Sequence, residues 1–178
     1  VVSGLAGGLF SRLMAAILVG DNPVKRWKDA RPVRFAAICG VVAAAAAVLS
    51  DGVTYGAGYT EAKSLLFGRF ASGWDLAAGK WLATLSAAAS GAPGGIFAPS
   101  LATGAGIGAL FAHLAPWAGG REAVTLGMAG YLAGVVQAPL TSAVILMEMT
   151  RDPGLVGPLL LCTLIARRCS EAVAPTPL

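Results

Sequence analysis

The sequence predicts an all-α fold, a polytopic membrane protein of tilted and broken helices. Three observations carry that prediction. Of 178 residues, 56% are hydrophobic and 12% charged, half the charge of an ordinary globular chain. Two long stretches hold no charged side chain, residues 81–120 and residues 123–147; a spanning helix needs about 20 such residues. Glycine and proline fall inside these apolar runs rather than only at their ends, and so break them. The formal net charge of +4 is concentrated at segment ends, which gives no continuous basic face for nucleic acid. Cys39, Cys162 and Cys169 lie in apolar runs without Cys-x-x-Cys spacing and read as small core residues, and no metal site or cofactor is expected. The chain opens mid-run on Val1, so a fragment of something longer is expected.

Residues 1–20 are apolar except Arg12 and contain Gly4-x-x-x-Gly8, which reads as the end of a membrane helix with Arg12 snorkelling to an interface. Residues 21–34 form a polar connector with turn signals at Asn22-Pro23 and Arg31-Pro32. Its five basic residues against two aspartates place it in the cytoplasm under the positive-inside rule. Residues 33–50, with five consecutive alanines, read as a buried packing helix. A Gly-rich turn at 51–58 and a short helix at 59–67 follow on the far side. The spacing Ser72 to Asp75 resembles a capping box opening a helix to about Ala89. In that helix Trp74 and Trp81 are expected as interface anchors and Lys80 as a snorkelling charge.

The central stretch is Ser90-Gly91-Ala92-Pro93-Gly94-Gly95-Ile96-Phe97-Ala98-Pro99. Pro93 and the glycine pair forbid regular helix, and beyond Pro99 the pattern becomes helical to about Leu114. Whether the helix starts at Pro99 or as early as Ile96, the amides of Ile96, Phe97 and Ala98 lack a carbonyl four residues back. They then point along the positive end of a helix, a site for an anion. Gly94 and Gly95 leave the approach clear of side chains. The case needs these amides to be neither bonded to neighbouring carbonyls nor wet on the outer surface of the protein. The competing reading is a plain tight turn between membrane helices. His113, the sole histidine, is expected at a membrane interface. Gln137-Ala138-Pro139 divides residues 122–150 into two half-helices, the first carrying Gly130-x-x-x-Gly134 and the second a local Glu148–Arg151 pair. A turn at 151–154 leads to a last helix at 155–166, ended by Arg167-Arg168, and an extended exit at 174–178.

These residues resemble a known family. Gly95-Ile96-Phe97-Ala98-Pro99 matches the Gly-x-Phe-x-Pro signature of helix N in the CLC chloride channels and chloride/proton antiporters. Ala138-Pro139-Leu140-Thr141 with Glu148-Met149-Thr150 is similar to that family's helix P segment. The resemblance covers nearly all of residues 1–178, as the second of two inverted repeats, late helix J through helix Q, with no regulatory domain. It implies chloride as the transported ion, bound in part by the backbone amides of Ile96 and Phe97, with Ala98 at the neighbouring outer position. It implies a homodimer through helices P and Q, with Leu140, Ile145, Val156 and Leu159 as candidate surface residues, in a plasma or inner membrane. The family's gating glutamate, serine ligand and tyrosine ligand have no counterpart here, so channel and proton-coupled antiport stay open, as does the preferred anion.

Two other functions compete. A soluble phosphate-binding enzyme would need Gly-Lys-Ser/Thr after the glycines, where this chain has Ile-Phe; no enzymatic activity is expected. A non-transporting membrane scaffold, a repeat needing an upstream half, remains the alternative to transport.

Overall fold

The computed structural model describes residues 1–68, 73–115, 117 and 119–175. Its elements are α1 (Val2–Leu18), α2 (Pro23–Ala30), α3 (Pro32–Leu49), α4 (Tyr59–Leu66), a π-helical turn (Asp75–Gly79) running into α5 (Lys80–Ala89), α6 (Phe97–Leu114), α7 (Gly120–Val136), α8 (Pro139–Thr150), a 3-10 turn (Pro153–Leu155) and α9 (Val156–Val173). The described residues contain helices and turns and no strand, the all-α fold the composition predicts. By length and composition α3 and α6 can each cross a membrane, and α1 with α2 forms a third apolar path bent by 52°.

The core is α7, wrapped by α1, α6, α8 and α9, and it is held by glycine. In lipid, helices gain little by hiding apolar area from one another, so close backbone approach supplies the attraction. A Cβ at Gly4 would stand 2.6 Å from Ala166 Cα, and one at Gly8 2.9 Å from Ser170 Cα, so the first Gly-x-x-x-Gly seats α1 on α9. Gly104 and Gly108 do the same for α6 on α7, at 2.6 Å from Met128 Cα and Val124 Cα. A Cβ at Gly134 of the third motif would stand 3.0 Å from Gly4 Cα. Tyr131, Met128, Leu132 and Val135 of α7 are fully buried between them.

Several expectations are corrected. The connector at 21–34 is not all turn: Pro23 sits in the first turn of α2, where its missing N–H costs nothing. The helix α3 is not buried; Val33, Val41, Val48 and Leu49 are exposed, an apolar surface suited to lipid or to another part of the protein. Trp81 is no interface anchor. Its ring meets Phe10 edge-on at 6.2 Å and its Nε1 donates to Ala6 O at 3.4 Å, whereas Trp74 is exposed as expected. No ion pair joins Glu148 and Arg151, because Arg151 leaves the helix in the left-handed region at φ 50°. α9 does not stop at the arginines; Arg167 pairs with Glu171 at 2.7 Å and the helix runs on to Val173. Ser72 and the exit residues 176–178 lie outside the described residues. The three cysteines are unbridged.

Lys80 does not snorkel. It is 2% exposed, and its Nζ donates to the carbonyls of Thr54, at 2.9 Å, and Gly56. The ammonium therefore closes the 51–58 turn, in which Gly52, Gly56 and Gly58 all adopt positive φ. Gly58 is in turn pressed on α6, since a Cβ there would stand 2.6 Å from Ala102 Cβ. Replacing Lys80 by methionine keeps the stem and removes both charged bonds. The expected result is a loss of about 2–3 kcal/mol, read by thermal unfolding, with faster amide exchange at Val53 and Tyr55.

Candidate functional site

The site is built at the junction of α5 and α6. Ser90 ends α5, and its Oγ donates to Ala87 O at 2.6 Å and accepts from the Ala92 N–H at 3.2 Å. Gly91 then turns at φ 84°, a conformation few other residues take without strain. Pro93 offers no N–H, and Gly94 and Gly95 follow in open space, with nothing within 4 Å of where a Cβ would stand. The helix begins at Phe97 with Ile96 as its flanking residue, and the Ser100 N–H makes the first bond to Ile96 O at 3.0 Å. The start thus falls between the two the sequence allows. Pro99 occupies the third helical position, where an N–H would still have no partner.

Among the described residues the amides of Ile96, Phe97 and Ala98 have no hydrogen-bond acceptor. Ile96 and Ala98 are half-buried and Phe97 is 48% exposed, while Gly94 and Gly95 are open. Three consecutive donors therefore face a space this chain does not fill. The helix behind them is fixed on two sides. Gly104 and Gly108 lock it to α7, and Gly106 lies against the π-helical turn, where a Cβ would be 2.6 Å from Ala77 N. Ile96 itself packs against the cluster of Phe10, Met14, Tyr131 and Val135.

The second break differs in how its carbonyls are met. Gln137 leaves α7 at φ 55°, and Pro139 starts α8. The freed carbonyls at the end of α7 are satisfied: Ser170 Oγ donates to Gly134 O at 2.6 Å and Ser11 Oγ to Val135 O at 2.8 Å. Gln137 Nε2 donates to Ala174 O at 2.6 Å. Broken helix at membrane depth is tolerated where its backbone is buried in protein or lines a polar cavity. Two carbonyls at the end of α7 meet the first condition. At the start of α8, as at the start of α6, the first-turn amides have no acceptor among the described residues, and free amides are what an anion site requires.

Sequence reasoning missed Ser11, Ser170 and Gln137 as the groups that close the second break, since their partners lie 33–124 residues away. It also missed Ser100. This residue is 1% exposed, and its hydroxyl is the sole buried side-chain polar atom without a partner among the described residues. His113 stands exposed in the last turn of α6. Of the candidate dimer residues, Leu140 is exposed on α8, and Ile145 and Val156 are half-buried. Leu159 is a correction. It is fully buried in the core with Leu146 and Leu155 and presents nothing to a second subunit.

Comparison with known proteins gives the family. The ClcB voltage-gated ClC-type chloride channel of Salmonella dublin is 33% identical over 181 residues, which cover 97% of this chain and 42% of that protein. ClcB of Escherichia coli O9:H4 is 34% identical over 183 residues, with the same coverage, and ClcB of Citrobacter koseri 32%. The chain spans about two fifths of the length of these relatives, so the surface it exposes is that of this part alone. The model of the voltage gated chloride channel family matches residues 1–171, nearly the full chain, and the protein belongs to that family.

Proposed function

We propose that residues 1–178 form the C-terminal half of a chloride-transporting membrane domain, and that the amides of Ile96, Phe97 and Ala98 help bind the ion. Gly94 and Gly95 open its approach, and Pro99 stands in the first turn of the helix behind it. One observation carries the reading: before Phe97 the three consecutive donors of Ile96, Phe97 and Ala98 find no acceptor among the described residues, and they stand behind two glycines with open space around them. The exposed apolar residues Leu140 and Val144 of α8 and Leu161, Leu164 and Ile165 of α9 support a homodimer through these two helices, in a plasma or inner membrane. Isotopic chloride flux into liposomes tests the site in the intact parent with Phe97 altered. A changed rate or anion selectivity is expected; unchanged rate and selectivity would overturn the assignment.

The coverage of about two fifths of the relatives' length favours one second reading, a repeat that packs or pairs without transporting by itself. Co-expression with an upstream half separates the two. Restored flux supports the transport reading, and persistent silence supports the scaffold.

A further inference from the structure

We infer that the cavity between α4, α6, α7 and α8 binds the phosphate headgroup of an anionic phospholipid. The cavity holds about 150 Å³, room for about five water-sized groups. Its rim carries two cations, Lys63 near the end of α4 and Arg121 in the first turn of α7. Its floor is apolar, formed by Leu66, Leu101 and Met128.

Neither rim cation has a carboxylate. The ion pairs among the described residues are Arg26–Asp21, Arg167–Glu171 and Arg168–Glu171. Glu61 lies two positions from Lys63 on α4, a spacing that turns it to another face. The Glu122 carboxylate folds back over Gly119. Glu148 is exposed on α8 and does not line the cavity. Arg121 also stands at a helix N-terminus, where the helix dipole repels a cation. A phosphate between the two side chains reverses both costs: guanidinium binds phosphate through two parallel bonds, and ammonium adds a point charge. Tyr59, also at the rim, supplies a hydroxyl donor; the Thr150 hydroxyl already donates to Leu146 O at 2.8 Å and is left as an acceptor.

The floor decides for a lipid over a small free anion. A hydrated ion gains nothing from Leu66, Leu101 and Met128, while the carbons next to a lipid headgroup are removed from water there. The setting agrees. One wall is α6, long and apolar enough to span a bilayer. The rim lies on α4, which α3 separates from the basic helix α2, so the site faces the leaflet opposite α2. The inference depends on the chain lying in a membrane; Ala98, one residue of the proposed chloride site, also lines the cavity.

Native mass spectrometry of the full chain in detergent, with phosphatidylglycerol or phosphatidylcholine added, tests it. Phosphatidylglycerol is expected to stay bound. In the double variant Lys63→Gln with Arg121→Gln its retention is expected to fall about 30-fold, the loss of two basic contacts to an anionic lipid. Both side chains are exposed and make no hydrogen bond among the described residues, so folding should survive. The pair Lys63→Arg with Arg121→Lys, which keeps both charges, should retain the lipid. Equal retention by the double glutamine variant would overturn the site. Displacement by inorganic phosphate at the concentration at which phosphatidylglycerol competes would overturn the lipid reading. A change in oligomeric mass of the lipid-free variant would do so as well, by assigning the cavity to a second copy of the chain.

Discussion

Replacing Gly108 by valine is expected to abolish the packing of α6 on α7 and with it the folded chain. A Cβ at this position would collide with the carbonyl oxygen of Ala123 and stand 2.6 Å from Val124 Cα. Both are backbone atoms of a buried helix and have no rotamer to relieve them. Overpacking against yielding side chains costs about 1–3 kcal/mol; here the two helices themselves must separate, and the joint that opens is the tightest around the core. Gly127 closes the same joint from the other side, since a Cβ there would be 2.7 Å from Gly108 Cα. The measurement is the yield of monodisperse protein in detergent and its unfolding temperature, with none of the folded form expected. Gly40 is the control. It lies mid-helix in α3 with nothing near its missing Cβ, so alanine there should stabilise by about 0.5–1 kcal/mol, the ordinary helical preference.

Replacing Gly95 by valine is expected to leave the fold intact and to reduce chloride flux by the intact parent protein more than tenfold. Gly91 differs from Gly95 in a way that makes the test sharp. Gly91 needs its positive φ, whereas Gly95 has none and no neighbour within 4 Å. Nothing in the folding of this chain therefore requires glycine at 95, and approach to the amides behind it does. A branched side chain there stands before the donors of Ile96 and Phe97 without removing them. Losing donors aimed at a buried anion costs about 1.5–3 kcal/mol each, so partial obstruction of two exceeds a factor of ten. Unfolding temperature and isotopic flux are read on the same preparation. A large fall in stability would show that glycine serves the fold, and unchanged flux that the amides do not meet the ion.

Much of this was legible in the sequence because proline and glycine punctuate apolar runs. Pro139 and Gly94-Gly95 marked both breaks, and the three Gly-x-x-x-Gly motifs marked the close helix approaches. The start of α6 was not legible to the residue, since Pro99 lacks an N–H and fits any position of the first turn equally well. The burial of Lys80 was hidden for another reason: its acceptors, Thr54 and Gly56, lie 26 and 24 residues away, and local context offered solvent as the only partner. Facing was hidden as well. In a membrane chain the lipid-facing and core-facing sides are both apolar, so hydropathy alone did not separate exposed Val41 and Leu140 from buried Leu159. The free amides were legible because their freedom follows from backbone bookkeeping and not from any distant partner.

The most direct measurement removes one of those hydrogens. In the intact parent protein the peptide N–H of Phe97 is replaced by an ester oxygen, which keeps the side chain, and chloride affinity is compared with that of a protein carrying the ester at Leu101, whose N–H lies within the helix. The account predicts at least about tenfold weaker chloride binding for the Phe97 ester and little change for the Leu101 ester. Equal affinity in the two proteins would contradict it.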